Sequence, residues 1–313
     1  MPAPLVTVIV PGRDIADFAP AALDSLRAQT ETSWRAILVD DGSRDDTGRI
    51  FEAATHEDPR FMLLRHARSR GLGAARNAAL DLVDTEYLGF LDGDDELAPT
   101  ALERMTGTLA ATGSDFVTGA YVRSRWDGQG YAVGRVQPWV ASATDPARLG
   151  TTIFAHPAAS ANIVAWSKVS RTAFWRDLRF PEGVAYEDQV VAQRMYTTAR
   201  AFDVIPDVVV QWRLRENGTS ITQGKHKVRV LRDYLAALRG GVEVLHQAGA
   251  HAAVAARLDL ILAMDLPPLQ EIAGTHPDPA YPAAVRAFLE ELEALPEFAD
   301  ARVDPTLAAA LRW

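Results

Sequence analysis

Asp92-Gly93-Asp94-Asp95 packs three carboxylates into four residues, and burying them unpaired would cost several kcal/mol through desolvation and mutual repulsion. A hard divalent cation removes that cost, because Mg²⁺ or Mn²⁺ takes one or two carboxylates together with substrate phosphate oxygens. Gly93 lets the backbone turn tightly there. The acids directly follow the apolar run Tyr87 to Leu91, so they stand where a buried strand runs out. That position favours a metal site serving a diphosphate over the alternative, an acidic turn capping a helix near Pro99. Asp40-Asp41-Gly42-Ser43 also follows an apolar run, Ala36 to Val39. A carboxylate so placed accepts from a ribose hydroxyl or a pyrimidine N–H, although a glycine turn with a helix cap has the same composition.

Two further segments carry candidate chemistry. Gly71-Leu72-Gly73-Ala74-Ala75-Arg76-Asn77 has Arg76 where a dinucleotide fingerprint needs its third glycine, and no apolar strand precedes it. It reads instead as a loop entering a helix, with Arg68, Arg70 and Arg76 available to phosphate oxygens, or as a solvated basic stretch. Glu187-Asp188 precedes the helical pattern of Val190, Val191 and Met195, where an acidic pair caps a helix or supplies a general base.

These segments need a frame that brings them together. Leu5 to Val10 is a β-branched run expected of a strand covered on both faces, and Pro11-Gly12 ends it. Strand candidates at Ala36 to Val39, Phe61 to Leu64, Tyr87 to Leu91 and Phe116 to Thr118 alternate with helical stretches containing Leu23 and Leu26, Asp46 to His56, Ala74 to Val83 and Pro99 to Ala111. Such alternation predicts an α/β fold with right-handed crossovers and a mainly parallel sheet. Ligands then sit beyond the C-terminal strand ends, which would bring Pro11-Gly12-Arg13-Asp14, Asp40-Asp41 and Asp92 to Asp95 to one edge. From Tyr121 to Trp139 the pattern loosens; Ile163 to Val169 and Phe202 to Ile205 read as buried, and Val208 to Val210 as a short separate strand. Residues 225–313 read as Ala- and Leu-rich helices interrupted at Pro267-Pro268 and at His276-Pro277-Asp278-Pro279.

The 313 residues are 48% hydrophobic, enough for a packed core, and the net charge of −9 with no dense Lys/Arg cluster argues against nucleic acid as partner. With no cysteine, disulfides and thiolate chemistry are excluded. No stretch suits a signal peptide or a membrane-spanning helix, so the expected location is cytoplasmic, with peripheral membrane contact left open.

Taken in order, the segments resemble the inverting family-2 glycosyltransferases with a GT-A fold. The resemblance runs through Val8-Ile9-Val10-Pro11, Leu38 to Ser43 with Asp46-Thr47, Gly71 to Asn77, Phe90 to Asp95, Trp166-Ser167-Lys168, Phe180-Pro181-Glu182-Gly183, Tyr186-Glu187-Asp188 and Arg213 with Ser220-Ile221-Thr222. It implies a nucleotide-sugar-binding half over 1–120, an acceptor half with the base over 121–224 and a helical extension over 225–313. Pro11, Gly12, Arg13, Asp14 and Asp41 would line the nucleotide pocket, and Arg76 would stand near the base or phosphates. Asp92 and Asp94 would bridge to the diphosphate through Mn²⁺ or Mg²⁺, beside Gly93, and Asp188 would be the catalytic base. Asp40, Asp95, Glu187, Trp166, Lys168 and His226 are secondary candidates; His226 follows Lys225 in a late region that approaches the metal or diphosphate in this fold. The implied reaction moves a sugar, from a UDP-sugar in the favoured case, to a hydroxyl of a glycan, polyol-phosphate or lipid-linked acceptor. A sugar-1-phosphate nucleotidyltransferase and a non-catalytic glycan- or partner-binding domain are the alternatives. Arg13 departs from the aromatic common in the family at the first strand end, and Ser69 from its Asn. Trp126, Trp139, Trp166, Trp175 and Trp212 crowd the acceptor half, divided between core and sugar stacking.

Overall fold

The computed structural model describes residues 3–215 and 224–301. The first part alternates strand and helix: β1 (Val6–Gly12), α1 (Ala19–Arg27), β2 (Trp34–Asp40), α2 (Thr47–Glu57), β3 (Phe61–Arg65), α3 (Leu72–Leu80) and β4 (Tyr87–Phe90). β1 lies parallel between β2 and β4, and β3 continues parallel beyond β2. Every residue of β1 is buried, because helices must cover both faces of such a sheet. α1 turns Ala19, Ala22, Leu23 and Leu26 inward, a spacing that forms one apolar stripe, and Pro20 sits in its first turn, where no N–H is needed.

β5 (Glu96–Leu97) and α4 (Ala101–Thr112) lead into β6 (Phe116–Trp126), β7 (Tyr131–Val136), α5 (Pro138–Thr144) and β8 (Arg148–Thr151). β9 (Lys168–Arg171), α6 (Asp188–Thr198) and β10 (Phe202–Leu214) complete the sheet, whose order is β3-β2-β1-β4-β9-β6-β10-β5, with β7 beside β6 and β8 beside β10. β9 runs antiparallel to both β4 and β6, so the sheet is parallel from β3 to β4 and mixed beyond it.

Two readings change here. Phe202 to Ile205 and Val208 to Val210 belong to one strand, β10, whose register against β6 slips between Ile205 and Val210. Pro206, lacking an N–H for the ladder, sits at that irregularity. The loosened stretch from Tyr121 is also ordered: β6 runs to Trp126 and folds back as β7 through a turn in which Asp127 Oδ1 accepts from Gln129 N and Gly130 N.

The C-terminal helices are α7 (Val228–Gln247), α8 (His251–Leu260), α9 (Leu266–Thr275) and α10 (Ala280–Glu293). Pro267-Pro268 does not interrupt them. A π-helical turn at Ile261–Asp265, closed by Leu266 N donating to Ile261 O, joins α8 to α9, and the prolines fall in the first turn of α9. α7 packs along α6, α8 packs on the turn Pro157–Ala161, and the buried apolar residues form one cluster from Val6 to Leu292. Among the described residues no helix is long and apolar enough to cross a membrane.

Candidate functional site

A cleft of about 840 Å³ lies beyond the C-terminal ends of β1, β2 and β4, and Asp14, Asp41, Arg76, Asp92, Asp94 and Asp188 all line it. β1 and the acidic loop meet at its floor. Gly93 N donates to Pro11 O at 3.1 Å. A Cβ on either Gly12 or Gly93 would come within 2.5 Å of Ile15 Cδ1, so both positions are glycine for space, and Gly93 lies under the cleft rather than on its wall. Asp14 holds φ 51° and Tyr186 φ 62°, and both line the cleft. Backbone strain concentrated on two non-glycine residues of one cavity is a mark of functional positioning. Asp14 is fixed by Arg44 N donating to its Oδ1 at 2.7 Å, and Arg13 Nη1 donates to Ser69 Oγ at 3.0 Å.

Asp41 is fully engaged by the loop before α3. Its oxygens accept from His66 Nδ1 and Ser69 Oγ at 2.7 Å each and from Arg70 N and Gly71 N at 2.9 Å each. Burial alone would raise its pKa, but these donors outweigh it and hold the carboxyl below its ordinary value. Asp40 turns away from the cleft and accepts from Ser43 N at 2.9 Å. Of the three arginines Arg68, Arg70 and Arg76, only Arg76 lines the cleft; Arg70 reaches Glu182 at the surface. Asn77 explains why α3 and the Phe180-Pro181 segment belong together: Phe180 N donates to its Oδ1 at 2.9 Å and its Nδ2 donates to Phe180 O at 2.8 Å.

Arg76, 1% exposed, donates to Asp92 Oδ1 at 2.6 Å and to Glu187 Oε1 at 2.5 Å. Burial opposes its charge, but Asp92, Glu187 and Asp188 more than offset that and hold the guanidinium above its ordinary range. Asp94 Oδ2 accepts from Arg215 Nη2 at 2.6 Å, and Asp95 Oδ1 accepts from Arg213 N at 2.8 Å. Ligand oxygens of Asp92, Asp94 and Asp95 lie within 4.8 Å of one another. Burial, then Asp94 and Asp92, push the Asp95 carboxyl well above its ordinary value, which is the strain a dication relieves. Three convergent carboxylates of this kind fit Mg²⁺ or Mn²⁺.

Asp188 opens α6 and is part-buried. No hydrogen bond or ion pair from the described residues reaches its carboxylate. Burial, then the charge of Glu187, pushes it up to about 7. Glu187 is turned inward onto Arg76. Lys168 lies behind the wall, 2% exposed, donating to Asn162 O and Val164 O at 2.7 Å each. Burial brings its ammonium down to about 7.

The far wall was mostly invisible in the sequence. Tyr121 and Arg123 of β6, Trp139, Trp166 and Trp212 face it, and so do Lys225, Tyr234, Arg257 and Asp265 from the segment expected to be an extension. Trp126 is exposed, and Trp175 stacks on Phe180 at 5.3 Å in the core. His226 is exposed and away from the cleft, its carbonyl accepting from His276 Nε2; the late residue at the wall is Lys225. A lone arginine in an Ala-rich helix, Arg257, was the available signal. Ser220-Ile221-Thr222 lies outside the described residues.

A model of the Glycosyl transferase family 2 matches residues 7–167, more than half of the 313. The uncharacterized glycosyltransferase EpsJ of Bacillus subtilis (strain 168) is 33% identical over 128 residues, covering 41% of this chain and 37% of EpsJ. Glycosyltransferase GlyG of Streptococcus pneumoniae serotype 4 is 24% identical over 225 residues, covering 70% of this chain and 74% of GlyG. The chain thus spans well under half the length of EpsJ and most of GlyG. S. aureus TarS 1–349, solved with UDP-GlcNAc, superposes with a TM-score of 0.73 at 20% identity, covering 93% of this chain and 83% of TarS 1–349. The mannosyltransferase PcManGT of Pyrobaculum calidifontis, solved with GDP-Man and Mn²⁺, gives 0.58 at 20% identity over 99% of this chain and 85% of that one. Those likenesses give the fold, GT-A with added C-terminal helices, and the family match over more than half the chain gives its membership: it belongs to glycosyl transferase family 2.

Proposed function

We propose that this chain transfers a sugar, with inversion, from a nucleoside-diphosphate sugar to a hydroxyl of a glycan, polyol-phosphate or lipid-linked acceptor. The observation that carries the reading is Asp188, a carboxylate with no hydrogen-bond or ion-pair partner among the described residues, pushed up to about 7 in the same cleft as the Asp92-Asp94-Asp95 cluster. A base whose pKa lies near working pH is both available and strong enough to take a proton.

Pro11 to Asp14 and the loop that Asp41 organises bind the nucleotide, and Asp92 and Asp94, with Asp95 beside them, hold a divalent cation. When bound, that cation supplies charge neutralisation for the departing diphosphate. Arg76 fixes Asp92 and Glu187 in place. Asp188 takes the proton of the acceptor hydroxyl; the acceptor oxygen bonds to the anomeric carbon as the bond from that carbon to the diphosphate breaks. Attack and departure on opposite faces invert the configuration, and no protein nucleophile is needed. TarS solved with UDP-GlcNAc supports a UDP-sugar as donor, and PcManGT solved with Mn²⁺ supports the cation.

A screen of nucleotide-sugars for Mn²⁺-dependent thermal stabilisation, followed by assay of nucleoside diphosphate release, tests this. Stabilisation by none of them, or release of pyrophosphate from a nucleoside triphosphate instead, would overturn it.

A further inference from the structure

We propose that the far wall of the cleft binds a phosphate group carried by the acceptor, held by Arg123, Lys225 and Arg257. The inference rests on the sugar-transfer reading above and narrows its acceptor.

Arg123 lies between two indoles, its guanidinium 5.2 Å from the Trp139 ring and 4.9 Å from that of Trp212. Cation–π contact with two rings positions the guanidinium. No carboxylate of the described residues pairs with it, and its Nε is buried without an acceptor. The Lys225 ammonium sits 3.7 Å from the Tyr234 ring centroid and likewise has no carboxylate partner. Burial holds that ammonium below its ordinary range, and Arg123 and Arg257 press it the same way against the pull of Asp265. These three cations therefore share one neighbourhood. Asp265 is the carboxylate facing them from the C-terminal helices, and it is already committed to Tyr234 Oη at 2.5 Å and Arg257 at 3.4 Å.

Arg123 and Lys225 are half-buried, and positive charge partly withdrawn from water without a counter-charge is costly, with every unmade N–H bond adding to that cost. A neutral sugar hydroxyl cannot answer two unpaired cations. A phosphate ester can, carrying about −1.5 to −2 charges and three strong acceptor oxygens. The donor's own diphosphate belongs elsewhere. β6, which carries Arg123, stands two strands from β4 across β9, roughly 10 Å at the usual strand spacing. Asp188 lies between, close enough to Asp92, in the loop after β4, and to Tyr121 of β6 for its charge to act on both. Trp139, Trp166 and Trp212 offer aromatic faces beside the cations for the carbon skeleton bearing the phosphate.

The test titrates sn-glycerol 3-phosphate by calorimetry into the full chain saturated with UDP and Mn²⁺, with glycerol and glucuronate as comparisons. Expected are saturable binding of the phosphate, none of glycerol, and glucuronate weaker by about tenfold or more. R123Q and K225Q should each weaken glycerol 3-phosphate by about tenfold while changing UDP affinity less than about twofold, which also shows the variants folded. Equal loss of UDP would assign these cations to the donor. Glucuronate binding as tightly would make the ligand a carboxylate, and no preference over glycerol would remove the site altogether. Should UDP itself fail to bind, the transfer reading falls, and titration of the unloaded chain still decides the phosphate site.

Discussion

Arg76 Nη2 donates to Asp92 Oδ1 at 2.6 Å, so the first acid of the cluster is balanced by a guanidinium that water does not reach. The other end of the same group holds Glu187, which precedes the candidate base. One buried side chain thereby sets the spacing between the two acidic segments.

Arg76→Met should therefore destabilise the fold by about 3–5 kcal/mol, because it strands Asp92 and Glu187 without a counter-charge. Arg76→Lys should recover only part of the loss, since an ammonium cannot fork to both carboxylates. Urea unfolding measures both; a loss under about 1 kcal/mol for the methionine variant would contradict the bridging role.

Asp188→Asn should lower kcat by about 10²–10⁴-fold while leaving UDP affinity unchanged. Equal loss of turnover and donor binding would remove Asp188 from the role of base. The same variant should raise the melting temperature at neutral pH. The sign follows from the raised pKa, about 7 against an ordinary 3.8: the ionised carboxylate costs the native state stability above its unfolded pKa, and the amide removes that cost.

The pH profile carries the same sign. A base pushed up to about 7 is protonated below that value, so kcat/KM should climb as pH rises and level off above about 7. A limb near 4 would mean that the essential base of the free enzyme lies in the ordinary carboxylate range, against the raised value at Asp188.

Chelation should abolish Mn²⁺-dependent UDP binding, and Asp94→Ala should weaken it by about tenfold or more. Isothermal titration with and without Mn²⁺ reads both. Unchanged affinity in the variant would leave Asp94 as a partner of Arg215 alone.

Gly93→Ala should cost about 1–3 kcal/mol, since the new methyl would meet Ile15 Cδ1 at 2.5 Å and Pro11 O at 3.0 Å. The acidic loop would be displaced with it, so Mn²⁺-dependent binding should fall in parallel. A variant of normal stability and affinity would show that Ile15 rotates away freely.

The side of the cleft at β1, β2 and β4 was legible because local pattern dictates it. Val6 to Val10, Ala36 to Val39 and Tyr87 to Leu91 are unbroken apolar runs, so the residues after them had to emerge at one sheet edge. The far wall was not, because its members come from β6, β10, the segment before α7, and α8, and no local signal couples residues 123 and 257. Asp41 shows a subtler limit: its place at the cleft followed from the sequence, but its engagement by Ser69, Arg70 and Gly71 depends on a loop path that propensity does not encode. The slip in β10 and the π turn before Pro267 escaped for the same reason, each being a local irregularity stabilised by packing from outside.

That π turn is where the far wall of the cleft takes up a change in residue count. It inserts one extra residue into an otherwise continuous helix from His251 to Thr275, and Met264 and Asp265 face the cleft from within it. The turn absorbs that residue, so deleting one there would restore ordinary α-helical bonding with both flanks in phase, whereas deleting one from the regular helix between Arg257 and Ile261 would turn Arg257 by about 100° relative to α9. In relatives of this chain, one residue more or fewer is thus absorbed at this turn with the cleft-facing side chains on either side of it kept in phase.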